Sequence, residues 1–176
     1  MKYFGIVAIA MMLAPAESRA QQPLVVDTPF VHDPVMAYEN GKYYLYCTGH
    51  GITQMTSTDR KHWTIVPQGV LKNSEIPAWT HDSVPGFTTH IWAPDVIRFK
   101  NKWYLAYSCS TFGKNTSAIG LLSNTSLSDK DGWKDEAASS PLRAIETTGM
   151  PSIRISSLMR REILGLPGAL SGMASR

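Results

Sequence analysis

The chain is short of charge, short of cysteine, and holds no hydrophobic run long enough to span a bilayer. Charged residues make up 18% of its 176 positions, which argues against long solvated helices and against charge-driven disorder. No more than two basic residues are adjacent, and 17 Lys+Arg against 14 Asp+Glu leave a formal charge of +3. So weak and scattered a positive field excludes a nucleic-acid binder. Two cysteines without CxxC or His-rich spacing exclude a zinc module and a disulfide-dense mini-protein.

A further absence is local. All five Trp, all seven Tyr and all five Phe lie at or before Trp133, and from Ala137 to Arg176 there is no aromatic residue, no Lys and no Asp. That tail carries Arg143, Arg154, Arg160, Arg161 and Arg176 against Glu146 and Glu162, so the whole net charge of +3 resides there. Two segments of such different composition point to two origins.

Lys2 precedes an apolar run from Tyr3 to Ala16, the length of a signal-peptide hydrophobic region and too short for a membrane span. Ser18-Arg19-Ala20 has the small-x-small pattern of a cleavage site and places the cut before Gln21. Pro15 and the charged flank set the segment apart from an N-terminal core helix. Residues 1–20 are therefore expected to be a signal peptide, and the protein secreted or periplasmic, without membrane contact after cleavage. In that compartment Cys47 and Cys109 either pair or stay as two buried thiols; the sequence leaves both open.

From Leu24 to Ser128 short alternating strands are broken by turn signals. Asn40-Gly41 joins Val35–Tyr38 to Lys42–Cys47, a two-residue hairpin signal because both positions tolerate positive φ. Sixty residues on, the pattern recurs as Val96–Phe99, a Lys100-Asn101 turn and Lys102–Tyr107, with Lys42/Lys102, Tyr44/Tyr104 and Leu45/Leu105 at one offset. Each unit continues into another strand, Thr53–Thr58 and Ala118–Ser123, and then a tryptophan, Trp63 or Trp133. A repeating unit of about four antiparallel strands predicts the blades of a β-propeller rather than a sandwich. At about 40–50 residues per blade, Gln21 to Glu136 holds two blades and part of a third, too little to close a ring.

Val31-His32-Asp33-Pro34 puts an acid just before a strand, where proline keeps it from turning helical. A carboxylate at a strand mouth is placed to activate a water; the ordinary alternative is an Asp that satisfies a turn. His90-Ile91-Trp92-Ala93-Pro94-Asp95 repeats the design, with Trp92 either a platform for a sugar ring or a core residue. Ser110-Thr111-Phe112-Gly113 adds an aromatic beside a glycine that allows close ligand approach.

In order, VHDP, NGKYYLYCTG, STDRKHW, HIWAPDV, KWYLAYS and STFGKNTSAIGL resemble the start of glycoside hydrolase family 43, close to its endo-1,5-α-L-arabinanases, over Val31 to about Glu136. The resemblance implies an all-β, five-bladed propeller with a sugar groove across one face and inverting hydrolysis of arabinan in carbohydrate catabolism. One carboxylate acts as base, one as acid, and a third Asp tunes the acid; inversion calls for carboxyls set far enough apart to admit water. Asp33 matches the base. Trp92 and Phe112 match substrate-stacking aromatics, Gly113 a substrate-contacting glycine, and His90 falls with them in the substrate-binding set. Asp95 follows the WAPD pattern and reads as structural. No cofactor or metal ligand is expected within this chain, although some relatives hold a metal ion at the propeller axis. The tuning Asp and the acid Glu belong to later motifs absent as written, and Glu136, Glu146 and Glu162 stand in the wrong context to replace them. The chain alone is thus expected to be inactive; the alternative is a non-catalytic protein that binds arabinan or another plant polysaccharide.

The tail explains that loss. Read one base earlier from Ala144 with permitted codons, it can encode WNAIDPN and then WGSFWDGI, the family's next two motifs in their proper order. Residues 137–176 therefore read as an out-of-frame stretch, unstructured or incidentally helical, with a one-base shift near Glu136; the ordinary alternative is a genuine Arg-containing amphipathic helix around Ser156 to Leu166.

Overall fold

A computed structural model describes residues 23–114 and 116–136; the expected signal peptide and tail lie outside the described residues. Along the chain come β1 (Val25–Val26), β2 (Val35–Glu39), β3 (Lys42–Cys47), β4 (Gly49–His50), β5 (Thr53–Ser57) and β6 (Trp63–Ile65). A connector with a 3-10 turn (Asn73–Glu75) and one short helix, α1 (Trp79–Ser83), leads to β7 (His90–Phe99), β8 (Lys102–Ser110), β9 (Ser117–Asn124) and β10 (Lys134–Asp135). They pair into two sheets, β1-β6-β5-β3-β2 and β10-β9-β8-β7-β4. Every strand pairing among the described residues is antiparallel, and each sheet contains the anticipated four-stranded blade.

The repeat extends to the backbone. Asn40 and Gly41 turn with φ of 51° and 81°, and Lys100 and Asn101 with 45° and 62°. Two consecutive left-handed residues match the twist of the strands they join, so each hairpin closes in register, Glu39 on Lys42 and Phe99 on Lys102. The STDRKHW motif is also a turn. Asp59 Oδ1 accepts from the backbone N–H of Lys61 and of His62 at 2.8 and 2.9 Å, while its Oδ2 meets His62 Nδ1 at 2.5 Å.

Strand alternation divides the apolar residues between two faces. Tyr44 and Tyr46 of the first blade join Trp103, Leu105, Tyr107 and Cys109 of the second in one core, with Ile52, Val84 and Phe87 closing it. Leu45 and Cys47 point the other way, to Met55 and Trp63. Cys47 and Cys109 thus lie in separate clusters and are free buried thiols, pushed up from their ordinary pKa chiefly by burial. Of the two readings left open by the sequence, the unpaired one holds.

Two contacts carry most of the geometry. Glu39, buried at the end of β2, accepts from Trp103 Nε1 at 2.6 Å, Ser126 Oγ at 2.8 Å and the Leu127 N–H at 2.7 Å, tying the first blade to the second. Within the second blade Gly120 lies opposite Tyr107, and a Cβ there would sit 2.1 Å from the fully buried phenol ring. Gly120→Ala should therefore cost about 1–3 kcal/mol of overpacking, read as a lower urea midpoint at unchanged m.

Candidate active site

The inner strands β2 and β7 begin at one end of the two blades, and the chemistry-bearing residues gather there. Asp33 occupies the loop before β2 with φ 50°, and Ala93, sixty positions later, has φ 44°. Both precede a proline, which disfavours the right-handed helical region. Instead of the extended form usual before proline, both take the left-handed region. Asp tolerates that region better than most residues; for Ala93 the strain coincides with a bulge between Trp92 and Asp95. Strain of this kind collects where side chains must be aimed.

What aims Asp33 is a residue that sequence reasoning passed over. Thr48 Oγ1 donates to Asp33 Oδ2 at 3.0 Å and accepts from the Ala93 N–H at 2.9 Å, so one hydroxyl joins the acidic loop of the first blade to the aromatic loop of the second. The Thr48 N–H also bonds the His32 carbonyl at 3.0 Å. His32 Nδ1 meets the same Oδ2 at 2.7 Å. Both contacts fall on Oδ2, and the side chain is 44% exposed. The available signal was the repeat itself, since Ser108, another hydroxyl, stands sixty residues after Thr48.

Beside this loop lies a cleft of about 200 Å³ lined by Gly86, Thr88, His90, Trp92, Ser110, Thr111 and Phe112. It brings three of the candidate residues together: His90, Trp92 and Phe112. Phe112 is 83% exposed, on a turn closed by Lys114 N–H to Thr111 O at 3.0 Å and tied to the connector by Thr111 Oγ1 to Pro85 O at 3.1 Å. Gly113 is not part of the lining. Its φ of 75° gives the turn that presents Phe112, and open space surrounds the position a Cβ would take. Asp33 is likewise outside the lining and reaches the cleft loop through Thr48.

At the cleft edge Trp92 Nε1 donates to His90 Nδ1 at 3.0 Å. β4 crosses from the first blade to pair with β7, so that His50 faces His90, ring centroids 5.2 Å apart and edge-on. This crossing strand and His50 were not anticipated. Partial desolvation of a ring that is otherwise exposed, with a smaller effect of the His50 charge, holds His90 below the ordinary imidazole value.

Among the described residues no group of three or more His, Cys, Asp or Glu could hold a metal ion, and no helix is long and apolar enough to cross a membrane. Glu136 accepts from Ser123 Oγ, and its N–H bonds Leu121 O, so it lies on the β10 edge, the opposite side of the sheet from β7.

Residues 23–144 match the sequence model of glycosyl hydrolases family 43. The chain belongs to this family. An extracellular exo-α-(1→5)-L-arabinofuranosidase of Cellvibrio japonicus is 40% identical over 132 residues, 73% of this chain and 35% of that protein. An extracellular endo-α-(1→5)-L-arabinanase of Bacillus subtilis is 41% identical over 110 residues, 60% of this chain and 33% of that protein. The structure of a Cellvibrio cellulosa α-L-arabinanase complexed with arabinohexaose superposes with a TM-score of 0.55 at 42% identity, covering 60% of this chain and 34% of that one. The family 43 chain described here thus spans about a third of the length of the curated relatives it matches. The described residues form two antiparallel blades, the propeller units that the repeat predicted, without the part of a third blade that the residue count also led us to expect.

Proposed function

We propose that this chain carries the base-bearing part of an inverting, arabinan-degrading hydrolase of the endo-1,5-α-L-arabinosidase type, secreted and active in carbohydrate catabolism. The observation that carries the reading is the Thr48 hydroxyl bridge between Asp33 and Ala93, which sets a carboxylate next to an aromatic-lined cleft. In the proposed step Asp33 takes a proton from water through Oδ1 as that water attacks the anomeric carbon. Thr48 and His32 meanwhile hold Oδ2 still. Trp92 and Phe112 offer flat apolar faces to the C–H side of the arabinose rings, and His90 borders the same sugar. That relatives at this similarity act on α-(1→5)-arabinan, one of them solved with arabinohexaose, supports arabinan as the polysaccharide. Their extracellular naming supports secretion. Both an exo- and an endo-acting relative match, so the mode of attack rests on motif resemblance.

With one carboxylate of three, the chain as it stands should not turn over. A base without an acid leaves the departing sugar unprotonated, forfeiting about 10²–10⁴-fold in rate. The second reading, a sugar-binding protein, is favoured by the cleft being formed within the described residues. Incubation with linear arabinan, of this segment joined in frame to the expected downstream motifs, separates the two. Reducing-sugar release identifies a hydrolase. Retardation in an arabinan affinity gel without release identifies a binder, and absence of both overturns the sugar reading for this chain.

A further inference from the structure

The contact between Trp92 and His90 has a polarity that fixes a protonation state. An indole N–H can only donate, so the 3.0 Å bond from Trp92 Nε1 requires His90 Nδ1 to accept, and an imidazole with an accepting nitrogen is neutral, its proton on Nε2. Protonated, His90 would present an N–H to another N–H and the bond would be lost. We propose that His90 is a positioning residue for the aromatic platform: its neutral ring holds Trp92 against the cleft, its protonation releases Trp92, and sugar binding at this cleft therefore weakens on acidification. The effect on sugar rests on the function proposed above; the His90–Trp92 lock does not.

The surroundings favour the neutral form. His90 sits at the seam between blades, directly across from His50 in the β4–β7 pairing, and the edge-on rings are 5.2 Å apart. His50 is itself held by Thr89 Oγ1 at 2.7 Å from its Nδ1. Apart from His90 itself, the cleft lining carries no titratable side chain. The connector contributes Gly86 and Thr88, β8 contributes Ser110, and the following turn contributes Thr111 and Phe112. His50 is thus a titratable neighbour that opposes a second positive charge, and partial desolvation of the exposed His90 ring acts in the same direction. The lock should hold at and above neutral pH and open only below the ordinary imidazole value of 6.5. Trp92, a bulky ring beside a bulge, has no other hydrogen bond among the described residues to fix it.

The test uses the 176-residue chain. Indole N–H resonances are followed by nitrogen–proton NMR from pH 8 to pH 4, with the Trp92 peak assigned through Trp92→Phe. The expected result is a Trp92 peak that shifts with one midpoint below 6.5, in step with the His90 ring. In His90→Gln, whose side-chain carbonyl accepts without titrating, that movement should vanish. In His50→Gln the midpoint should rise, because the opposing charge has gone. Arabinotriose affinity should fall by about two- to tenfold between pH 8 and a pH below the observed His90 midpoint, the worth of one neutral hydrogen bond, and His90→Gln should abolish that dependence. A Trp92 peak that stays still while His90 titrates, or moves equally in His90→Gln, overturns the lock. Titrating indole with pH-independent arabinotriose affinity overturns its effect on binding. Titrating indole with no arabinotriose bound at any pH supports the lock and overturns the sugar reading.

Discussion

Asp33→Ala should abolish arabinan hydrolysis in a protein that joins this segment, in frame, to the downstream motifs expected from reading the tail one base earlier. The expected loss is about 10²–10⁴-fold in kcat, the range for removing a general base, with KM little changed because Asp33 is outside the cleft lining. The usual objection, that the variant merely unfolds, is answered within the molecule. Ala93 stands sixty residues after Asp33, also before a proline and with φ 44° against 50°, so the backbone geometry of this loop accepts alanine. Thr48 should divide cleanly. Thr48→Val removes the hydroxyl that holds Oδ2 and should lower kcat by roughly tenfold, the order of one hydrogen bond to a charged group, whereas Thr48→Ser keeps the bridge and should retain most activity. Initial rates on linear arabinan measure all three. Full activity in Asp33→Ala would remove Asp33 from the base assignment.

How far the sequence reads depends on how local each cause is. Asn40-Gly41 and Lys100-Asn101 were legible because a two-residue turn is decided by the residues inside it. The strands that flank them followed, with limits that moved by one residue at each end in Ser117–Asn124 for an expected Ala118–Ser123 and by six at the start of His90–Phe99 for an expected Val96–Phe99. β4 was not legible. Two residues, Gly49-His50, carry no strand pattern of their own and are extended because β7, forty residues away, offers an edge to pair with. The site divides in the same way. His90, Trp92 and Phe112 line one cleft, since they lie at the ends of strands whose order the repeat implied. Thr48 and His50 were missed because their roles arise only when one blade crosses to the next. Gly113 was singled out for approach to a ligand, yet its left-handed φ serves the turn that carries Phe112.

The largest stability effect is expected at Glu39. Its carboxylate takes three donors at 2.6–2.8 Å, two of them on the buried residues Trp103 and Leu127. Arg98 lies over the Trp103 ring at 5.7 Å and adds its charge nearby. Burial alone would raise the Glu39 pKa; the bonds from Trp103, Ser126 and Leu127, with the Arg98 charge, outweigh it and hold the group below its ordinary 4.5. A group whose folded pKa is depressed stabilises the fold fully above its unfolded value and loses that contribution as pH falls through the folded one. The two-blade unit should therefore weaken on acidification below about 4.5. Glu39→Ala leaves the Trp103 and Leu127 donors buried without an acceptor, and should cost about 3–5 kcal/mol at neutral pH. Glu39→Gln preserves shape but turns an amide toward a donor, and should cost about 1–3 kcal/mol while removing this part of the acid dependence. Urea unfolding at pH 7 and pH 3.5 measures both. A Glu39→Gln protein as acid-sensitive as the parent would show that the seam draws its pH dependence from another group.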